Sequence, residues 1–201
     1  LHFDKLRKLL GLKKGTNPDC AACTMAKSRA EALSDHAYTR STRSCHRMHM
    51  DIGFTQNSDF KFQIHVDDHD RVSHLTMLGN KNEALAKWTA LKNHLETAHF
   101  PAKFAFIKTD SEPLYCTPEW RAHATDNNLV HEFSNRHRHD QHGVAERTMG
   151  TVGTGFRCMM FQGCAPEADI PDALQMANVI RNHSPTSANG GWSPLEKQAG
   201  M

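Results

Sequence analysis

Three acidic residues lie where a fold could bring them into one site: Asp51, Asp110 and Glu146. Asp51 stands between apolar neighbours in a strand-like stretch, where a carboxylate is unfavourable unless it has a partner or a function. Asp110 ends another strand-like stretch, and Glu146 lies in the first turn of a helical one. Strand ends and helix starts can point side chains into a common site. Carboxylate oxygens suit hard divalent ions such as Mg²⁺, so metal-dependent catalysis is the chemistry that they could perform.

The elements that would position these acids include both strands and helices. Short strand-like runs at 45–55, 60–68 and 71–78 predict an antiparallel meander. Residues 80–98 then predict an amphipathic helix that is capped by Asn80. Further elements are expected as a strand at 103–110, a helix at 117–128, a short strand at 129–133, a helix containing Glu146 and a helix at 170–182. One mixed domain with a sheet and flanking helices is the economical interpretation.

Length and composition allow one sizeable domain and a small appendage, since the chain has 201 residues and 38% of them are hydrophobic. No secretory signal is visible, and no apolar run approaches the roughly 20 residues that span a bilayer. We therefore expect an intracellular protein, and the initial Leu indicates a fragment of a longer polypeptide. The net charge of +2 permits a nucleic-acid partner without requiring one.

The composition changes near Cys45. Residues 20–43 are basic and rich in small residues, with the weak periodicity that is typical of a small module and a linker. The sequence therefore predicts a boundary that separates residues 1–43 from a larger domain at 44–201.

Four motifs around the acids occur in a fixed order: HMDIGF, HVDDHDRV, IKTDSE and QHGVAER, with 35 residues between Asp110 and Glu146. This series resembles the catalytic core of retroelement integrases of the copia-type LTR retrotransposon family. The stretches CAACTMAKSRA, HEFSNR and RNHSPTSANGGWSPLEKQAG are also similar to that family, so the resemblance covers nearly the whole chain. It implies an α/β, RNase H-like fold with a five-stranded mixed sheet and helices on both faces. A partial zinc-binding (pre-integrase) helical module would precede it in residues 1–43.

The resemblance implies a polynucleotidyl transferase that uses two Mg²⁺ or Mn²⁺ ions. Such ions, roughly 3.5 to 4 Å apart, activate an oxygen nucleophile and stabilise the leaving oxygen. By resemblance, Asp51 would bridge both ions, Asp110 would hold one and Glu146 the other. The reactions would be 3′-end processing of element DNA and strand transfer into target DNA. Asp67 and Asp68 match a recurrent pair outside this triad, and we expect a structural role for them.

The resemblance also assigns DNA contacts. Residues 134–142 would form a loop beside the active site, with Arg136 and Arg138 near DNA phosphates. Lys108 and Arg147 are further candidates for phosphate contact. Gly143 would let the chain turn into the helix of Glu146. The alternative is a solvated loop whose charges only keep it soluble.

A second metal site is suggested by Cys20 and Cys23, whose spacing is that of two zinc ligands. Of the six cysteines, only this pair has metal-like spacing, and a disulfide framework is not expected. His2 matches the second histidine of the family's zinc module, and the first would lie before residue 1. The sequence thus contains a partial zinc site, and two buried thiols are the alternative.

Departures from the family pattern leave other functions open. Asp110 is followed by SEPLY where Asn-Gly-x-Glu-Phe is usual, and the helix of Glu146 contains Gly150, Gly153 and Gly155, each costing about 1 kcal/mol relative to Ala. One alternative is a degenerate or domesticated integrase-like domain that binds DNA without catalysis. Another is a different nuclease or transposase of the RNase H-like group.

The resemblance finally implies partners and a location. The partners would be element DNA ends and target DNA, and a homo-oligomer is expected because two DNA ends are joined. The family is made as part of a polyprotein, which places this chain in cytoplasmic virus-like particles and in the nucleus.

Overall fold

The sheet begins with the expected antiparallel meander of three strands. In the computed structural model, which describes residues 39–55, 60–134 and 143–200, these strands are β1 (Arg47–Phe54), β2 (Lys61–Asp67) and β3 (Ser73–Leu78). β2 pairs antiparallel with both of its neighbours. The strand-like patterns of the sequence therefore predicted the meander correctly.

Two short parallel strands complete the sheet. β4 (Phe106–Thr109) pairs parallel to β1, and β5 (Val130–Phe133) pairs parallel to β4, which gives the order β3-β2-β1-β4-β5. β4 is shorter than its expected range of 103–110, and the Phe104 amide before it bonds the Glu96 carboxylate at 3.1 Å. The expected five-stranded mixed sheet is confirmed.

Five α-helices lie in the described parts of the chain: α1 (Ala84–Ala98), α2 (Pro118–Asp126), α3 (Gly143–Gly163), α4 (Ile170–Asn182) and α5 (Pro194–Gln198). The first four agree with the helices expected from the sequence. The short α5 was not expected, although Ser193 and Glu196 form a reciprocal capping box at its start. None of the described helices is long and apolar enough to cross a membrane.

The described residues fall into two compact units, 39–148 and 149–200. The first contains the whole sheet, α1, α2 and the start of α3, and the second contains the remaining helical residues. The expected boundary between residues 43 and 44 stays a prediction, since residues 1–38 lie outside the described part.

The core of the first unit lies on one face of the sheet. Alternate residues of β1, Met48, Met50 and Ile52, are buried there against Trp88 of α1 and Trp120 of α2. Full burial of a side chain such as Met48 contributes about 1.5 to 3 kcal/mol. Because successive strand residues point to opposite faces, the same packing directs the alternate residues of β1 to the other face.

Two aspartates of the β2–β3 turn fasten the chain segment that precedes β1. The Asp67 carboxylate accepts the backbone N–H groups of Cys45 and His69, both at 2.8 Å. The Asp68 carboxylate accepts the N–H of Ser41 at 2.7 Å and is fully buried. Arg40 donates to the Asp68 backbone carbonyl at 3.0 Å. Both carboxylates thus have the structural contacts expected of them.

Asp68 also joins several charged side chains. Its Oδ1 accepts from Arg71 at 3.2 Å and lies 3.2 Å from His49 Nε2. We predict that Asp68→Ala lowers the free energy of unfolding by about 3 to 5 kcal/mol, because the largely buried Arg71 guanidinium loses its ion-pair partner and the buried His49 ring loses its hydrogen-bond partner. Urea unfolding measures the change, and Asp126→Ala at an exposed position in the last turn of α2 is the control. A loss below about 1 kcal/mol in Asp68→Ala would contradict this role.

A buried histidine makes stability depend on pH. His65 of β2 stacks on Trp88 with ring centroids 5.7 Å apart, and burial lowers its pKa to about 3. In the unfolded chain the His65 side chain has its ordinary pKa of 6.5 and binds a proton below that pH, whereas in the folded chain it stays neutral. The free energy of unfolding therefore falls as the pH drops below 6.5.

We predict that His65 alone removes about 2 kcal/mol of stability between about pH 7 and pH 5. Urea unfolding of the wild type and of His65→Phe, which keeps an aromatic ring against Trp88, isolates this contribution as the difference between their pH slopes. Equal slopes in the two proteins would show that the folded state protonates His65 without penalty.

Candidate active site

Asp51 lies near the end of β1, on the sheet face opposite the core. Its neighbours Met50 and Ile52 are buried in the core, and alternation along the strand directs Asp51 away from it. The carboxylate is partly buried, and its Oδ1 accepts the backbone N–H of Ile52 at 2.8 Å. The hydrogen bond fixes the carboxylate at the site.

Asp110 follows β4 directly, beside Asp51. The parallel register pairs His49 with Lys108, and two further residues along each strand lead to Asp51 and Asp110. Since side chains alternate with a period of two, these aspartates share the face of His49 and Lys108. The sequence prediction that strand ends would bring these acids together therefore agrees with the register.

Three neighbouring carboxylates act on the charge of Asp51. Burial is the largest cause that raises the pKa of Asp51 to about 7, opposed by the Ile52 N–H. The carboxylates of Asp110, Glu112 and Glu146 raise this pKa further by repulsion. A negative charge on Asp51 is therefore disfavoured until a positive charge enters the site.

Glu146 reaches the site from the first turn of α3. Its own side chain is exposed, while Val144, Ala145 and Thr148 of the same helix start are buried. Thr148 Oγ1 also donates to the Val144 carbonyl at 2.9 Å. The helix start thus places an exposed carboxylate on an anchored turn.

The expected role of Gly143 in turning the chain is not seen. Gly143 is the first residue of α3, and its φ lies outside the left-handed region. A Cβ at this position would lie 3.1 Å from Arg147 Nη1, so glycine makes room for the Arg147 side chain along the helix.

The unusual sequence after Asp110 still supports the site. Asp110 Oδ1 accepts the N–H of Glu112 at 3.1 Å, and a 3-10 helix, Pro113–Cys116, follows. Ser111 Oγ donates to the Ser134 carbonyl at 2.8 Å, which ties the turn to the end of β5. Side-chain hydrogen bonds therefore hold the turn after Asp110, where an Asn-Gly sequence is usual in the family that the sequence resembles.

Two residues near the site were not identified from the sequence. Glu112 contributes a fourth carboxylate beside Asp51, and its side chain forms an ion pair with Lys81. The acid two residues after Asp110 was visible in IKTDSE and could have been considered. Lys81 precedes Glu112 by 31 residues, so only the fold reveals their contact.

The expected DNA-contact and zinc residues have different outcomes. Lys108 is half-buried on the Asp51 face of β4, and Arg147 is exposed beside Glu146. The other expected residues lie outside the described part of the chain and stay predictions: Arg136, Arg138, His2, Cys20 and Cys23.

The donor chemistry of the acid site fits Mg²⁺ or Mn²⁺. Carboxylate oxygens are the ligands that these ions prefer, and the pKa of Asp51 is raised first by burial and then by the repulsion of neighbouring carboxylates, which a bound cation would relieve. Within residues 39–55, 60–134 and 143–200, no group of three or more His, Cys, Asp or Glu side chains is already close enough to hold a metal ion.

Comparisons with known proteins give similarity in structure only. No protein-family model matches the chain, and no curated protein matches it. A chain in the cryo-EM structure of the simian T-cell lymphotropic virus intasome in complex with PP2A regulatory subunit B56 gamma is 19% identical with a TM-score of 0.68. That similarity covers 88% of this chain and 62% of the viral chain, so this chain spans less than two thirds of the viral one.

Two integrase catalytic cores are similar over most of their own length. The HTLV-2 integrase catalytic core domain in complex with magnesium, in its dimeric form, is 17% identical with a TM-score of 0.58, over 78% of this chain and 97% of that one. The catalytic core domain of BIV integrase is 15% identical with a TM-score of 0.58, over 78% and 95%. The chain therefore has the RNase H-like fold of integrase catalytic cores.

We predict that Asp51→Asn, in EDTA at about pH 8, raises the free energy of unfolding by about 1 to 3 kcal/mol. The reason is that the amide replaces a carboxylate whose folded-state pKa, about 7, lies above its ordinary value of 3.8. The wild type loses this stability as the pH rises from about 4 to 7, because its unfolded state releases the proton first.

Mn²⁺ at about 100 times its Kd should then stabilise the wild type by about 2.7 kcal/mol and the variant far less. Urea unfolding with and without Mn²⁺ measures both effects. Equal stabilisation of the two proteins by the ion would place metal binding elsewhere in the chain.

Proposed function

We propose that the chain is the catalytic core of a retroelement integrase of the copia-type LTR retrotransposon family. It would process the 3′ ends of element DNA and transfer them into target DNA. The observation that supports this most directly is the convergence of Asp110 and Glu146 on Asp51 within an integrase-type fold. The ordered motifs of the sequence support the finer assignment to the copia-type family.

In this function Asp51, Asp110 and Glu146 would together hold two divalent ions. The chemistry that bound Mg²⁺ or Mn²⁺ supplies is activation of an oxygen nucleophile and stabilisation of the leaving oxygen. The backbone N–H groups of Ile52 and Glu112 orient the two aspartates for this task.

Positive side chains near the acids would receive the DNA backbone. Lys108 shares the Asp51 face of the sheet, and Arg147 follows Glu146 in the first turns of α3. Both are suited to phosphate oxygens, which position DNA without reading its sequence. Arg136 and Arg138 are proposed to extend this contact.

The assembly and location belong to the same proposal. The solved relatives include an intasome and magnesium-bound HTLV-2 cores in dimeric and trimeric forms, which supports Mg²⁺, DNA and a homo-oligomer as partners. A zinc-binding module formed with His2, Cys20 and Cys23 and a location in virus-like particles and the nucleus complete the proposal.

A second candidate function is DNA binding without catalysis. It is favoured by the absence, among the described residues, of three ligand side chains already gathered for a metal ion. The Lys81–Glu112 ion pair also supplies a positive charge next to the acids, which opposes cation binding. A degenerate or domesticated core would have these features.

We predict metal-dependent joining of labelled DNA ends to target DNA by the wild type with Mn²⁺ or Mg²⁺. Glu146→Gln should lower the rate at least about 100-fold, because the amide keeps the size of the side chain and removes its charge. Glu119→Gln is the matched control, since Glu119 also lies in the first turn of a helix and is exposed.

The products are separated on a sequencing gel. Joining that is lost in Glu146→Gln and retained in Glu119→Gln would establish the catalytic function. A folded wild type that binds DNA and forms no product with either ion would leave the second candidate function.

A further inference from the structure

An aromatic ring stands exposed at the end of the strand that carries Asp51. Phe54 is the last residue of β1, three positions after Asp51, and 54% of its surface is accessible. Single exposed hydrophobic residues are common and need no explanation by themselves. Phe54 differs from such residues because two lysines, Lys81 and Lys61, lie beside it.

Lys81 lies directly over this ring. Its Nζ is 4.9 Å from the ring centroid of Phe54 and forms an ion pair with the Glu112 carboxylate. Lys61 of β2 is the register partner of Phe54 and adds a second positive side chain at this end of the strands. The exposed ring is therefore accompanied by two lysines in a region that is otherwise acidic.

The ion pair connects this group to the acid site. The Glu112 N–H donates to Asp110 Oδ1 at 3.1 Å, and the Glu112 carboxylate is close enough to act on the charge of Asp51. Glu112 therefore links Lys81 to the two aspartates, through its side chain on one side and its backbone N–H on the other. With 36% of the Lys81 side chain and 26% of the Glu112 side chain accessible, the ion pair is partly exposed, and another anion can reach Lys81.

We propose that Phe54 and Lys81 form a subsite for an unpaired nucleotide at the end of a DNA substrate. The base would stack on the ring of Phe54, and Lys81 would leave Glu112 for the adjoining phosphate. This inference rests on the proposed function, which brings a DNA end to Asp51 and Asp110.

The chemistry selects an unpaired base over duplex DNA. Inside a duplex each base is covered on both faces by its neighbours, whereas an unpaired base can turn a face toward a protein aromatic side chain. Such stacking is tolerant of sequence, and Lys81 adds a point charge for the phosphate. The alternative is that Phe54, Lys81 and Glu112 contact only each other, and DNA binding distinguishes the two.

The first experiment places 2-aminopurine at the unpaired end of a short duplex and uses Ca²⁺ in place of Mg²⁺. Stacking on Phe54 should quench its fluorescence in the wild type and in Phe54→Trp, and the quenching should be lost in Phe54→Leu. The Phe54→Leu affinity for this DNA should fall roughly 10-fold, whereas that for a blunt duplex stays within about 2-fold.

The second experiment compares Lys81→Gln with Lys87→Gln, an exposed lysine of α1 that provides the same change of charge. The slope of log K against log salt for the unpaired-end DNA should become shallower by about 0.7 to 0.9 in Lys81→Gln, as for one lost phosphate contact. Lys87→Gln should keep the wild-type slope. Thermal unfolding confirms that each variant is folded.

The outcomes separate this subsite from the proposed function. Strand joining by a wild type that neither quenches 2-aminopurine nor changes its salt slope in Lys81→Gln would overturn the subsite alone. Quenching that depends on Phe54 in a protein without joining activity would support the subsite and remove the catalytic function. A wild type that binds no DNA would overturn both.

Discussion

The parallel pairing of β4 with β1 is the constraint on which the site depends. Its register places Lys108 beside His49, and with it Asp110 beside Asp51. A slip of one residue would turn Asp110 toward the core face, since alternation reverses with each position. The register is held by burial on that core face, where Met48 of β1 pairs with Ile107 of β4 and neither is exposed. Apolar packing therefore sets the geometry of the charged site on the opposite face.

The acid site opposes stability, and the surrounding structure offsets this cost. The raised pKa of Asp51 reflects its burial and the repulsion of neighbouring carboxylates. Both effects destabilise the folded state when Asp51 is ionised. The backbone N–H groups of Ile52 and Glu112 donate to the carboxylates of Asp51 and Asp110 and orient them. Glu146 is positioned by the first turn of α3. Destabilised charge of this kind is common where a protein awaits a ligand of opposite charge.

The sequence predicted what depends on local pattern. Short strand-like runs between turn-like stretches predicted β1, β2 and β3, although β2 is buried along nearly all of its length, and helical periodicity predicted α1. The resemblance groups Asp51, Asp110 and Glu146 in one site. The β1–β4 register explains why Asp51 and Asp110 lie side by side. Contacts between distant segments were not predictable, as in the Lys81–Glu112 pair and the Arg40 contact with the β2–β3 turn, since they arise only after the strands pair. The short α5 was missed because one capping box over a few residues is a weak signal.

Acids from β1, β4 and α3 are proposed to bind divalent ions together. Diffraction from crystals grown with Mn²⁺, recorded near the manganese absorption edge, locates the ions without reference to activity. We expect anomalous density between the carboxylates of Asp51 and Asp110, with Glu146 drawn toward it. If saturating Mn²⁺ leaves this position empty, or occupies only other sites, these acids do not form a shared metal site.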